Sequence, residues 1–503
     1  MTTRLSVLLP AALAALTALP ALSLAGEITF DTPVTLDSTL DEPWGVQAVD
    51  IDGDLDLDLL VASLDAVVWY ENTDGMGTFG TSNPVVLGPD AGQARTVCGA
   101  DLDGDMDVDV LVGSPSHDDV FWYENTDGLG TFGPPILLSR VSVPWAAIAA
   151  DLDGDDDMDV ITTALGDNTI GWNENTGSGT FGPRQVISAL VLQPVSLAAV
   201  DIDGDDDIDV LAASIGDNKV TWYENLNAAG SFGVQQIITT AAAQPLMVSV
   251  GDLDGDLDPD VIVASQDDDT VAWYENTDGA GTFGPETTLS TILKGASSGV
   301  PVDMDNDGDL DVLIAGQNDD TVSWFENTDG AGTFSTENVI STDDDAPKCA
   351  IGVDFDSDGD ADVVVTSYGN DELSHITGYL GMWVDLGNAL AGTGGKLPNL
   401  VGDGVILPGN TIVLRLDNAK ATSTVALIVG LGTLNLPLKG GTIVPTLDLF
   451  LFGTTNGNGK LNFAGPWPAI IPSGFIFYCQ EWIIDTGGVA GFAASNGLRG
   501  RSG

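Results

Sequence analysis

The chain has 503 residues, 43% of them hydrophobic, and a formal net charge of −62 from 76 acids against 14 bases. That balance excludes nucleic acid as a partner, because phosphate binding needs clustered Lys and Arg. The regular alternation of apolar and polar residues excludes wholesale disorder.

Residues 1–25 read as an export signal. Arg4 precedes SVLLPAALAALTALPALSLA, which Pro10 and Pro20 interrupt, and Ser23-Leu24-Ala25 offers a small-x-small cleavage pattern. A membrane anchor is the competing reading; the two prolines and the lack of a following basic cluster weigh against it. No later run of 18 apolar residues appears. The mature chain is therefore expected to be secreted, extracellular or at the cell surface, with no membrane span.

Ile28–Ser38 (ITFDTPVTLDS) has a strand pattern and stands just ahead of a long repeat. The stretch DIDGDLDLD begins at Asp50, and related nine-residue stretches begin at Asp101, Asp151, Asp201, Asp252, Asp303 and Asp354. Successive starts lie 51, 50, 50, 51, 51 and 51 residues apart. A fixed period of that size marks a solenoid, a propeller or an array.

Repeat two shows the content of one unit. TVCGADLDGD is a short apolar strand entering the acidic loop, VDVLVGS a second strand, DDVFWYENTDG a third and GTFGPPILLS a fourth. Four short strands in about 50 residues, punctuated by turn residues, describe a propeller blade. We label them A to D from the inside outwards. The seventh repeat stops after SYGNDELSHITGYLG and has no fourth strand, whereas Ile28–Ser38 matches the fourth-strand pattern. The ring closes if that N-terminal strand completes blade seven, which also removes exposed sheet edges. The expected fold is all-β: a seven-bladed β-propeller over residues 27–380, followed by a β-sandwich-like domain.

The acidic loops place aspartates at alternate positions 1, 3, 5, 7 and 9. They are Asp50, Asp52, Asp54, Asp56 and Asp58; Asp101, Asp103, Asp105, Asp107 and Asp109; Asp151, Asp153, Asp155, Asp157 and Asp159; Asp201, Asp203, Asp205, Asp207 and Asp209; Asp252, Asp254, Asp256, Asp258 and Asp260; Asp303, Asp305, Asp307, Asp309 and Asp311; Asp354, Asp356, Asp358, Asp360 and Asp362. Carboxylates crowd this closely when a hard cation offsets their repulsion. Calcium takes 6–8 oxygens, and a loop with Asp at 1, 3, 5 and 9 and a carbonyl at 7 can wrap around it. The competing reading is a solvated acidic loop in a salt-adapted protein, which does not require a two-residue period. Up to seven Ca²⁺ ions, one per blade, are expected.

On these in-register loops the sequence resembles the FG-GAP/VCBS repeat family, in its secreted bacterial form, over roughly residues 27–380. The resemblance implies calcium bound between the first two strands of each blade, as in the related loops of integrin α-subunits and a fungal seven-bladed lectin. It says little about the ligand. One departure concerns position 6, where such loops favour glycine. Only Gly308 and Gly359 supply it; the first five repeats carry Leu55, Met106, Asp156, Asp206 and Leu257, with glycine at position 4 instead. Leu and Met disfavour positive φ, so a differently drawn turn and weaker affinity are expected in those blades. Pro259 also sits inside the fifth loop.

The opposite face carries the D–A and B–C loops around the channel mouth. The residue six places before each first Asp is Trp44, Arg95, Trp145, Val195, Leu246, Ser297 or Lys348. Repeats that agree elsewhere disagree here, and loops on a rigid scaffold are where binding tends to live. The candidate ligand patch is Trp44, Arg95, His117, Trp145, Lys348 and Tyr368, with unconstrained loop drift as the competing reading. The strand-C tryptophans are expected to wedge between blades, with sugar stacking as the alternative. Cys98 and Cys349 occupy equivalent segments of repeats two and seven; free buried thiols are expected, with a bond between them left open.

Only six of the 76 acids but seven of the 14 bases fall in residues 379–503, which places a domain boundary near 380. Residues 383–495 alternate in short runs such as STVALIVG and GFIFYCQEWIID and read as a β-sandwich. Residues 496–503 are Gly-rich and expected to fray.

The functional expectation is a secreted, calcium-binding adhesion or binding module for an extracellular glycan or protein. The alternatives are a calcium-dependent polysaccharide lyase and a purely structural surface protein. The chain holds two histidines and no His-Glu-x-x-His or phosphate-loop motif, and no catalytic residue is expected.

Overall fold

A computed structural model of the chain describes residues 28–87, 92–227, 229–291, 293–356, 360–380, 383–387, 389–403, 411–430, 433–438, 441–445, 449–456, 458–466, 476–489, 492–495 and 497–501. The expected export signal, residues 1–25, lies outside them, as do Asp358 and Gly359 of the seventh loop.

The protein is all-β, and the described residues form seven four-stranded antiparallel sheets. In the third repeat the order is Pro144–Ala150, Asp159–Ala164, Thr169–Asn173 and Gln185–Ser188, each strand paired with the next in sequence. The second strand is buried along its whole length in this repeat and in repeats four to seven. The fourth is half exposed, as an outer strand should be.

The innermost strands are Gly45–Val49, Val97–Ala100, Pro144–Ala150, Pro194–Val200, Pro245–Gly251, Ala296–Val302 and Pro347–Val353. Each packs against the next, and the last packs against the first. The chain therefore returns on itself as a propeller-like ring. The seventh sheet takes its outer strand from the N-terminus: Val34–Asp37 pairs with Glu372–Ile376. Just before it, Ile28–Phe30 pairs with Gly378–Leu380.

Two repeated devices join the blades. The strand-C tryptophan of one blade lies under the GTF turn of the next. A Cβ on Gly130 would come within 2.4 Å of Trp69, and one on Gly230 within 1.9 Å of Trp172. Glycine is needed there because the turn has positive φ (77° and 61°) and the indole lies against its backbone. The tryptophans thus pack as wedges: Trp172 is 2% exposed and sits in an apolar cluster with Leu152, Leu197 and Tyr223. The second device is the asparagine of the WYEN motif. Asn125 Nδ2 donates to the Ile51 carbonyl of the preceding blade's acidic loop (2.9 Å), and Asn175, Asn225, Asn276 and Asn327 repeat the bond. Asn72 closes the series by donating to Phe355 O at 3.0 Å.

Where the seventh repeat lacks the wedge tryptophan, His375 occupies the place, against Phe79 and Phe355. The Trp324 cluster of blade six is covered by Ile28 and Phe30. The cysteines are free; Cys98 and Cys349 stand in the innermost strands of blades two and seven.

Beyond residue 380 the strands form a six-stranded sheet, a three-stranded sheet and a hairpin. Leu416 and Leu461 of the three-stranded sheet share a buried cluster with Val425 and Ile483 of the six-stranded one, a sandwich-like core. The expected fraying tail is corrected here. Gly497–Arg501 is a strand paired with Trp383–Gly387 on one side and Ile476–Cys479 on the other. A Gly-rich segment still carries a full set of backbone donors and acceptors, and a gap between two strands satisfies them.

Candidate metal centre and channel-mouth cluster

Each acidic loop joins strand A to strand B, and its five aspartates have different tasks. The aspartate at position 9 begins strand B and is buried: Asp58, Asp109, Asp159, Asp209, Asp260, Asp311 and Asp362 are at most 2% exposed. One oxygen accepts the N–H of position 2 and the other accepts the N–H of the WYEN asparagine or, at Asp362, of Gly378. For Asp109 these donors are Leu102 at 3.0 Å and Asn125 at 2.8 Å. The first aspartate folds the loop: Asp101 Oδ1 accepts from Gly104 N at 2.7 Å and Oδ2 from Met106 N at 2.9 Å.

In four of the loops the aspartate at position 3 buries an oxygen with nothing to accept. Asp52, Asp153 and Asp203 each bury an Oδ1 without a hydrogen-bond partner, and Asp305 buries both oxygens so. Positions 1, 3 and 9 converge. In Asp50/Asp52/Asp58, Asp101/Asp103/Asp109, Asp151/Asp153/Asp159, Asp201/Asp203/Asp209 and Asp252/Asp254/Asp260, ligand oxygens lie within 4.8 Å of one another. Two oxygens on one calcium lie at most about 5 Å apart. An all-oxygen donor set without His or Cys suits a hard cation. The buried, unpartnered oxygen of position 3 points to the same occupant. The loops therefore fit calcium.

Position 5 approaches this focus, since the Asp103 and Asp105 carboxylates come within hydrogen-bonding reach of each other. Position 7 turns away: the Asp107 carboxylate lies against Gly128 of the TDG turn, and Asp258 against Gly279. That leaves position 7 its carbonyl for an ion. The expected difference in turn shape is corrected. Leu55, Met106, Asp156, Asp206 and Leu257 adopt φ of 79°, 74°, 70°, 69° and 75°, the left-handed region that Gly308 also uses. The first aspartate's two bonds, to positions 4 and 6, hold the turn whatever stands at position 6.

Burial dominates the electrostatics of the loops. It pushes the carboxyls of Asp58, Asp109, Asp159, Asp209 and Asp260 up to about 7 and that of Asp311 to about 8, against an ordinary 3.8. Burial and then the neighbouring position-5 carboxylate raise Asp203 to about 6 and Asp305 to about 7. The glutamate of the WYEN motif adds to this: Glu124, Glu224 and Glu326 raise Asp103, Asp203 and Asp305 respectively. Neither this glutamate nor the asparagine beside it was read as part of the site. The recurrence of Trp, Glu and Asn at fixed spacing in six repeats is the available signal, and the tryptophan absorbs it.

At the mouth, five of the six candidate patch residues meet, from blades one, two, three and seven. The Trp44 ring centre is 5.8 Å from that of Trp145 and 6.0 Å from that of Tyr368, both edge-on. The Arg95 guanidinium lies 4.2 Å from the Trp44 ring centre and 5.5 Å from that of Trp145. Lys348 Nζ lies 4.1 Å from the Trp44 centre and 5.2 Å from that of Tyr368. Such contacts contribute about 0.5–2 kcal/mol each. Backbone ties set the rings in place: Thr366 Oγ1 donates to Trp44 O at 3.0 Å and Thr96 Oγ1 to Trp145 O at 3.2 Å. Lys348 is 8% exposed and donates to Gln317 Oε1 at 2.6 Å, which also accepts from Gln266 Nε2. Burial and then the Arg95 charge lower the Lys348 ammonium to about 8. Glu42 is the carboxylate in electrostatic reach of both cations, and it hydrogen-bonds Tyr368. His117 is not among the residues these contacts join; its Nδ1 is 2.8 Å from Ser114 Oγ. Glu42, Gln266 and Gln317 are not part of the patch read from the sequence, because what joins them to it is proximity across blades.

A propeller-like ring of four-stranded sheets, with acidic A–B loops whose described carboxylates gather as a hard cation requires, defines a repeat protein of the β-propeller type. The FG-GAP-like repeat model matches residues 50–112, 101–162, 157–212, 201–263, 252–314 and 303–365, and the chain belongs to that family. No curated protein matches it. Among solved structures, BBS1N in complex with ARL6DN is similar at 12% identity, covering 71% of this chain and 98% of that one, with a TM-score of 0.50. That likeness shows the fold alone. An Agrocybe aegerita lectin, in a structure describing recognition of non-reducing terminal N-acetylglucosamine, has 20% identity, 61% and 81% coverage and a TM-score of 0.46. Virginiamycin B lyase from Staphylococcus aureus has 11% identity, 70% and 99% coverage and a TM-score of 0.47. Among the described residues, no helix is long and apolar enough to cross a membrane.

Proposed function

We propose that the chain is a calcium-held binding module that works outside the cell and takes a glycan or a protein at the channel mouth. The observation that carries this reading is the convergence of Trp44, Arg95, Trp145, Lys348 and Tyr368 from four blades. Unconstrained drift of loop residues gives no reason for side chains so far apart in sequence to share one aromatic wall. The buried, unpartnered oxygens of Asp52, Asp153, Asp203 and Asp305 support calcium as the ion that holds the scaffold. The apolar stretch ending at Ser23-Leu24-Ala25 supports export, and calcium sites of extracellular modules work at the millimolar levels found there.

The test is a glycan and protein array probed with the labelled full chain, with calcium and with excess chelator, alongside a Trp44→Ala/Trp145→Ala variant. Calcium-dependent retention that the double variant loses is the expected result. Retention that survives the double variant moves the binding site elsewhere and ends this reading of the mouth.

A further inference from the structure

The mouth holds one buried cation, Lys348, and one half-buried, Arg95, where the ring as a whole is acidic. Arg95 and Lys348 lie 4.2 and 4.1 Å from the centre of the same Trp44 ring. Arg95 Nη1 is buried with no hydrogen-bond partner. Lys348 has three ammonium donors, and one goes to Gln317. Neither forms a salt bridge among the described residues, and Glu42, already bonded to Tyr368, is the single carboxylate in reach of both. The two cations thus share one carboxylate; Asp371, which also acts on Tyr368, is not among the groups acting on either. Burying a cation without a counter-charge is costly, and an orphaned guanidinium donor adds to the cost.

Resting on the reading of the mouth as the binding site, we propose that Arg95 and Lys348 together bind a single carboxylate, carried by an acidic saccharide. The guanidinium fork and the ammonium supply charge-assisted donors to one oxyanion, and the unpartnered Nη1 is the donor that a shift of the fork toward the ligand would complete. The charge of the ring sets the size of the ligand's charge. A ligand rich in carboxylates is repelled by the surrounding acids, whereas a sugar with one carboxylate presents its charge to the two cations and a neutral ring to Trp145 and Tyr368. An acidic peptide, with several carboxylates on a flexible chain, fits this field less well.

The calcium-loaded full chain is titrated calorimetrically with D-glucuronate, D-glucose, sodium acetate and an oligo-aspartate peptide. Glucuronate is expected to bind and glucose not. Acetate matching glucuronate assigns the affinity to the carboxylate itself and still supports the cation pair; acetate much weaker assigns a share to the sugar ring. Lys348→Gln and Arg95→Gln are each expected to weaken glucuronate about tenfold or more, while the calcium-dependent melting temperature reports that both variants fold. Glucose binding as well as glucuronate overturns the proposal, as does glucuronate binding unmoved in both folded variants. Tighter binding of oligo-aspartate than of glucuronate overturns the saccharide assignment. A neutral glycan retained on the array through Trp44 and Trp145 refutes the anion and leaves the proposed function standing, so the two failures are distinguishable.

Discussion

Leu55, Met106 and Leu257 sit at positive φ with side chains 88–89% exposed. A Cβ in the left-handed region costs about 1–2 kcal/mol, and these side chains recover nothing by packing. The first aspartate of each loop holds the strained residue in place through the N–H it accepts, as Asp252 Oδ2 does from Leu257 N at 3.0 Å. Glycine at position 6 removes the strain and loses about 0.5–1 kcal/mol to unfolded-chain entropy. Each of Leu55→Gly, Met106→Gly and Leu257→Gly should therefore stabilise by up to about 1 kcal/mol, and the triple variant should melt a few degrees higher in calcium. A triple variant that melts lower would mean that the exposed side chains make contacts the folded ring needs. The sequence identified position 6 as anomalous, but treated glycine as a condition of the turn. It is one of two solutions, because a carboxylate with two backbone donors also enforces the conformation.

Between blades, the wedge and the asparagine bond act on the same joint from two sides. Asn225 Nδ2 holds the Leu152 carbonyl of blade three at 2.7 Å while its N–H meets Asp209 at 2.7 Å, so one residue ties two successive acidic loops together. Asn225→Ala leaves a buried carbonyl unsatisfied and should cost about 1–3 kcal/mol. Trp172→Ala empties an apolar site under Gly230 and should cost about 3–5 kcal/mol. Because both residues serve the joint between blades three and four, a double variant tests their coupling. Thermal melts showing a sum of the single effects would make the two devices independent, and a smaller sum would make the joint a cooperative unit. The period and the alternating strands made the blades, the outer strand borrowed from the N-terminus and the acidic loops legible, since each depends on pattern repeated along the chain. The asparagine bond was not legible, because Trp, Glu and Asn recur together in six repeats and recurrence alone does not say which residue does which task. The mouth was legible for the opposite reason: Trp44, Arg95, Trp145 and Lys348 stand out where repeats disagree. Glu42 and Gln317 were missed because what joins them to the cluster is proximity across blades.

At the scale of the ring, the proposal that calcium fills the loops sets metal and protons in competition for the same carboxylates, with a sign that follows from burial. Burial raises the position-9 carboxyls to about 7, and Asp311 to about 8, from an ordinary 3.8. A raised carboxyl means the folded chain binds protons more tightly than the unfolded chain. Without metal, the stability linked to these groups is fully present below about pH 4 and is lost as pH rises through 7 to 8. Repulsion within a chain of net charge −62 acts in the same direction. Calcium binds the ionised form, so its contribution grows as the carboxylates lose their protons. Each site contributes about 2.7 kcal/mol when calcium stands at a hundred times its dissociation constant, and the sites add around a ring whose blades share joints. Melting curves recorded from pH 5 to pH 8.5 should therefore diverge: nearly coincident in calcium and in chelator at pH 5, and furthest apart at the alkaline end, with the chelated protein losing stability as pH rises. Asp209→Asn in one loop should narrow the gap at pH 8 by about one site's share, because an amide keeps one oxygen acceptor for Ile202 or Asn225 but carries no charge for the ion. Profiles that run parallel across the whole range would remove the cation from the loops and return the aspartates to the role of a solvated acidic surface.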